Sequence, residues 1–167
     1  MEYISNDTNV WIDFSIIGRL HLPFYLPYNY IMDSDALSDE LLSPQNLCDD
    51  LVHCGLISVE ITIEEFELAQ LFGSRYPKLS TYDRIALSIA KQRRITLLTG
   101  DKALRRAAMT EGITIVGTIG ILDQLFEGTY INEDEYRYCL NELCNHNGRE
   151  VRLPEDELHL RLLRIRN

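Results

Sequence analysis

The chain has 167 residues, 46% hydrophobic and 25% charged, which is enough apolar side chain for a packed core and excludes a collagen-like or disordered chain. With 26 acidic against 16 basic residues the formal net charge is −10, which argues against gripping nucleic acid by bulk charge but permits a local basic rim or carboxylates that hold cations. No apolar run approaches the roughly 18 residues of a membrane span, and Met1 to Asp7 lacks the basic head and apolar stretch of a secretion signal, so a cytoplasmic protein with no membrane partner is expected.

Glu2 to Ser5 predicts a short strand, and Val10, Phe14 and Ile17 then recur at helical spacing up to Gly18. Arg19 to Asn29, rich in Pro and aromatics, reads as a loop before a short strand at Tyr30 to Met32. Ser34 or Asp35 caps a predicted helix through Leu42, ended by Ser43-Pro44, and a further helix from Gln45 to Cys54 closes on Gly55. Leu56 to Ile61 predicts a strand. Thr62-x-x-Glu65 is a capping box that opens a helix toward Phe72-Gly73.

After the turn at Tyr76-Pro77, Ser80 begins the most periodic helix, with Tyr82, Ile85, Ala86, Ile89 and Ala90 on one stripe. Ile95 to Leu98 is a buried-looking strand, Asp101 to Met109 a helix, Ile113 to Val116 a strand and Thr118 to Phe126 a helix. Alternating strands and helices predict an α/β three-layer sandwich around a mostly parallel sheet. Beyond Gly128 the pattern changes to a helix over Glu133 to Leu143, a linker over Asn145 to Gly148 and a helix over Pro154 to Arg164. The division expected is a domain over residues 1–128 and a helical extension over 129–167, too short for its own core and packed on the domain.

Cys48, Cys54, Cys139 and Cys144 form no C-x-x-C pair, and His53 and His146 lack metal-ligand spacing beside them, so reduced thiols are expected rather than a zinc site. Six bases fall between Lys91 and Arg106, and Arg149, Arg152, Arg161, Arg164 and Arg166 crowd the C-terminus. Each base taken singly reads as part of a solvated helix face.

In open parallel sheets, sites gather outside the carboxyl ends of the strands. Asp7 and Asp101 each follow a predicted strand, so both face the same crevice. Asp83 borders the buried stripe of its helix, and Glu40, with Ala36 and Leu37 one turn back, lies on a packed side while Asp39 points away. A carboxylate on an apolar flank is costly unless paired or metal-bound. Each also has a simpler role: Asp7 and Asp101 as helix caps, Asp83 as the partner of Ser80 in a capping pattern, Glu40 as a solvated helix residue.

These residues sit in blocks with a resemblance. Ser5-Asn6-Asp7-Thr8-Asn9-Val10-Trp11-Ile12-Asp13-Phe14 resembles the opening of PIN-domain nucleases, whose first strand ends in an Asp-Thr-Asn or Asp-Thr-Ser run. Leu79 to Ala90 is similar to that family's helix bearing the third acid, and Leu97 to Ala108 to its Thr-x-Asp segment. Gly112 to Leu122 resembles the end of the domain in prokaryotic, VapC-like members. The blocks occur in the family's order and cover roughly residues 2 to 128.

The resemblance implies a PIN-like fold and a ribonuclease that depends on Mg²⁺ or Mn²⁺, often the toxin of a type II toxin–antitoxin pair. RNA would be the substrate, an antitoxin protein the partner, with a homodimer allowed. Asp7, Asp83 and Asp101 would be cation ligands, and Glu40 a ligand or an orienter of the attacking water. Asn9 and Thr99 would hold carboxylate rotamers, and Arg84, Lys102 and Arg105 would contact the RNA backbone.

Two phospho-chemistries fit worse. A HAD-type phosphatase needs a second Asp two residues after the first, where this chain has Asn9, and a receiver-type phospho-acceptor needs an acidic pair that Glu2 and Asp7 do not supply. The serious alternative is a catalytically inactive PIN-like binding or scaffold module.

Overall fold

The structure is a computed structural model that describes residues 1–41 and 46–166. Strands β1 (Glu2–Asn6), β2 (Tyr28–Asp33), β3 (Ile57–Val59), β4 (Thr96–Leu98) and β5 (Ile115–Val116) form one sheet in the order β3-β2-β1-β4-β5, every neighbouring pair parallel. The helices are α1 (Thr8–Ile16), α2 (Ser34–Glu40), α3 (Leu47–Cys54), α4 (Ile63–Arg75), α5 (Thr81–Arg93), α6 (Lys102–Thr110), α7 (Thr118–Glu127), α8 (Glu133–His146) and α9 (Glu155–Arg166). The chain is the α/β three-layer sandwich that the alternation predicts.

Strand order decides which helices share a face. The chain steps outward from β1 to β3, then returns to β4 and continues to β5. Right-handed crossovers therefore place α1, α2 and α3 on one face and α4, α5 and α6 on the other. Alternate strand residues divide accordingly. Ile4, Tyr30, Met32 and Leu98 join the larger core with α1, α2, α3 and α7. Leu97 packs with α4, α5 and α6, and Ile31 with Ala69, Ile85 and Ile89.

At the centre of the larger core Trp11 stacks on Phe24, with ring centroids 5.3 Å apart, and meets Tyr30 edge-on at 5.2 Å. The same core runs on into α8 and α9, where Tyr136, Cys139, Leu140, Leu143, Leu158 and Leu162 are buried. Tyr136 stacks on Phe126 of α7 at 4.5 Å and donates its hydroxyl to Asp123 Oδ1 at 2.6 Å, while Arg161 of α9 donates to Asp123 Oδ2 at 2.9 Å. Among the described residues no helix is long and apolar enough to cross a membrane.

The local departures from expectation have identifiable causes. The Arg19 to Asn29 stretch contains a 3₁₀ turn over Leu22–Tyr25, with Pro23 in its first turn, and β2 starts at Tyr28, paired with Glu2. The cap of α2 is Asp33, whose Oδ2 accepts from the amides of Asp35 and Ala36, rather than Ser34 or Asp35. In the run Asp33-Ser34-Asp35 every residue can cap, and the one that ends the strand does so. The helix end expected at Leu42, the stop at Ser43-Pro44 and the start at Gln45 lie outside the described residues.

Asn145 and His146, expected in a linker, complete α8. The linker that follows is pinned by Asn147, which donates to the Leu153 carbonyl at 2.9 Å and accepts from its amide at 2.8 Å. Because Leu140 is fully buried in the core shared with Trp11 and Phe14, Leu140→Ala should cost about 2–5 kcal/mol and lower a single unfolding transition. A separate early transition in calorimetry, with the main one unmoved, would mean that α8 and α9 melt alone.

Candidate active site

The strand order reverses between β1 and β4, and that junction is where a parallel sheet opens a crevice beyond its strand ends. Asp7 leaves β1 there and caps α1, its backbone amide bonded to the Leu98 carbonyl of β4 at 3.0 Å and its Oδ1 accepting from the Thr8 amide at 2.7 Å. Asp101 leaves β4 and caps α6, Oδ1 accepting from the Leu104 amide at 2.8 Å. Asp83 lies in the first turn of α5, in a capping box with Ser80 at 3.1 Å each way. Glu40 is the last residue of α2. The capping roles read from sequence are therefore real; Asp7 and Glu40 line the crevice, Asp101 lines a neighbouring groove, and Asp83 acts on Asp7 and Glu40 through its charge.

Two threonines connect these acids. Thr99, fully buried, donates its hydroxyl to Asp7 Oδ2 at 3.0 Å and accepts from the Asp101 amide at 3.1 Å, so one side chain spans the β1–β4 junction. Thr8 donates to Glu40 Oε2 at 2.9 Å and stands 3.5 Å from Asp7 Oδ1. Thr99 was expected to hold a carboxylate rotamer. Asn9 was too, but Asn9 is exposed and bonds to none of the four acids, while its neighbour Thr8 makes the link. The signal for Thr8 was its place at the first helical position, directly after the capping Asp.

The charges interact through the crevice. Burial raises the Asp7 carboxyl to about 7, helped by the charge of Asp83 and, less, of Glu40, against the bonds from Thr99 and Thr8. Burial also raises Glu40, followed among the raising causes by the charges of Asp83 and Asp39. Burial likewise raises Asp83, with Asp101 adding to it. Asp39 itself is exposed and accepts from the Tyr82 hydroxyl.

Among the described residues no three His, Cys, Asp or Glu side chains form a ready cation cage. The donor set nonetheless suits a hard cation. Mg²⁺ keeps several of its waters and is held by one or two carboxylates together with substrate phosphate, so it needs no all-protein cage. A buried carboxylate raised by its like-charged neighbours gains from a cation beside it.

The basic residues expected at the RNA divide. Lys102 is exposed on the first turn of α6, and Arg105 is half-buried with its guanidinium against Gly117, before α7. Arg84 lies against Gly73 of α4, its Nε buried without a partner among the described residues. Sequence reasoning assigned no role to Asp13, a buried carboxylate on α1 that accepts from the Thr118 hydroxyl at 2.7 Å and that burial raises to about 6.

The Asp7 shift makes a stability prediction. Its carboxyl titrates from 3.8 when unfolded to about 7 when folded, so between those values the folded state holds the extra proton. This group's contribution is present below about 4, is lost as pH rises to 7 and stays lost above. In metal-free protein, Asp7→Asn should therefore gain on wild type across that window, by a few kcal/mol at most, read by denaturant unfolding. A mutant-minus-wild-type difference that is flat from pH 4 to 8 would show that Asp7 carries no such shift.

One family model, DUF3368, described as a PIN domain, matches residues 3–165, from β1 into α9. No significant match is found among curated proteins or among solved structures. PIN domains are in general nucleases that act on nucleic acids with divalent metal ions. With the matched span covering nearly the whole chain and its parallel sheet opening a carboxylate-lined crevice at the switch point, this protein belongs to the PIN domain family.

Proposed function

We propose that this protein is an endoribonuclease that hydrolyses RNA phosphodiester bonds with Mg²⁺ or Mn²⁺ and acts as the toxin of a type II toxin–antitoxin pair. The observation that carries the reading is the hydroxyl-linked acid set, in which Thr99 joins Asp7 to Asp101 and Thr8 joins Asp7 to Glu40 around a crevice that Asp83 also charges. A divalent ion held by Asp7, Asp83 and Asp101, directly or through water, would neutralise phosphate charge and lower the pKa of a water.

The chain's own groups do the remainder. Thr99 fixes the Asp7 carboxylate so that one oxygen faces Thr8 and the other Thr99. Asp7 must lose its proton before it serves as an anionic donor, because its carboxyl titrates at about 7. Glu40, half-buried and held by the Thr8 hydroxyl, would orient the attacking water and take its proton, or serve as a further cation ligand. The acidity of the site suits a chain of net charge −10: the phosphate at the reacting bond would enter together with the cation.

Asp7→Asn and Asp101→Asn should each lower Mn²⁺-dependent cleavage of a single-stranded RNA by about 10²-fold or more with circular dichroism unchanged, and Thr99→Val by about 10- to 100-fold. At Mn²⁺ concentrations too low to saturate the site, wild-type cleavage should also fall as pH drops through 7, because the proton on Asp7 competes with the cation. Wild-type rates from Asp7→Asn, or undiminished cleavage in chelator, would overturn the nuclease reading. The toxin reading is tested apart: inducing wild type but not Asp7→Asn should arrest growth, and a neighbouring gene should reverse the arrest.

A further inference from the structure

Beside the acidic crevice runs a broad groove, about 1470 Å³, that the function proposed above uses only at Asp101. One wall is the start of α6 and α7, from Asp101 and Lys102 to Thr118; the other is the linker from Asn147 to Pro154 and the first turns of α9. Asn9 and Asp101 line it too, so it opens where the crevice ends. Its size exceeds the 300–1,000 Å³ usual for a small-molecule pocket, which suits a stretch of polymer.

The groove's charges are unequal in what accounts for them. Glu155, Asp156 and Glu157 form the first turn of α9, where the helix dipole favours acids, and Glu157 is also paired with Arg161. Glu150 contacts His146 at 3.3 Å, and Asp13 accepts from Thr118. The four cations Lys102, Arg105, Arg149 and Arg152 have no carboxylate partner among the described residues, and Lys102, Arg149 and Arg152 are exposed. They come from both walls, two from α6 and two from the linker. The linker is not a slack tail: Asn147 clasps Leu153 by two hydrogen bonds, and Val151 is fully buried, so Arg149 and Arg152 are presented from fixed backbone.

We propose that this groove holds the phosphate backbone of single-stranded RNA flanking the bond in the crevice, with Arg149 and Arg152 of the C-terminal linker as its outer contacts. The inference rests on the nuclease reading of the crevice and adds to it the path of the strand. A strand suits the place better than an acidic protein segment. Its phosphates can continue to the cation-binding end of the groove, whereas a polypeptide carboxylate there would meet Asp101 and Asp7.

The test uses full-length Asp7→Asn protein, which holds RNA without cutting it, and fluorescence anisotropy with a labelled single strand of about 12 nucleotides at about 50 mM salt. Adding Arg149→Glu and Arg152→Glu should raise Kd at least tenfold and reduce the log–log salt slope by about 1.4, the single-strand value for two phosphate contacts. Arg164→Glu with Arg166→Glu, equal in charge change but outside the groove, is the control and should leave Kd within about twofold, with circular dichroism checking both folds.

Equal weakening by both pairs, weakening by neither, tighter binding of a duplex than of the single strand, or no binding at all would overturn the proposal. So would poly-glutamate bound as tightly as RNA and lost with the same two arginines, which would assign the groove to a protein. The two readings fail separately. Normal Mn²⁺-dependent cleavage with groove variants that bind as before removes the path and keeps the nuclease; absent cleavage with binding lost in the groove variants does the reverse.

Discussion

Everything at the site depends on holding like charges together. Burial raises the cost of ionising Asp7, Glu40 and Asp83, and the neighbouring charges, including that of Asp101 on Asp83, add to it. What holds them is fixed hydrogen bonding: backbone amides at three helix starts and the hydroxyls of Thr8 and Thr99. A helix N-terminus is the cheapest place to put a carboxylate, because unpaired amides and the helix dipole both favour it. The fold uses that place three times, at Asp7, Asp83 and Asp101. In the function proposed above, the remaining cost of the buried charges would be relieved by a cation.

The crevice exists because the order in which the chain lays down its parallel strands reverses at β1 and β4. β1 and β4 lie side by side although most of the domain separates them in sequence, and the helices leaving them diverge to opposite faces. The gap so opened brings residues 7 and 101 into a chain of bonds through Thr99. The C-terminal helices close the larger core from outside, and the linker at 147–154 forms one wall of the groove beside the crevice.

Much of this was legible in the sequence, for physical reasons. The capping boxes at Thr62 and Ser80, the periodic stripe of α5 and the stop at Gly55 depend on local chemistry, and local chemistry is what a sequence displays. The positions of Asp7 and Asp101 beyond β1 and β4 are legible because a capping acid after a strand sits at a strand end by construction. The structure adds the link from Thr8 to Glu40, which depends on how α2 returns over α1, a contact between residues 32 apart. The expected hydrogen-bonding role of Asn9 against that of Thr8 turned on which side chain points inward at a helix start, and adjacent polar residues do not reveal it. The clasp of Asn147 on Leu153 carried no pattern at all in a stretch that read as a plain linker.

The most direct test of the central claim is proton release on cation binding. Metal-free protein in weak buffer at about pH 6.5 is titrated with Mn²⁺ while the released acid is measured. Because Asp7 titrates at about 7 and must ionise to face a cation, binding should release most of one proton at this pH, about half at pH 7 and almost none by pH 8, and none that is assignable to residue 7 in Asp7→Asn. Mn²⁺ bound with no proton release at pH 6.5, or the same release from wild type and Asp7→Asn, would contradict the account.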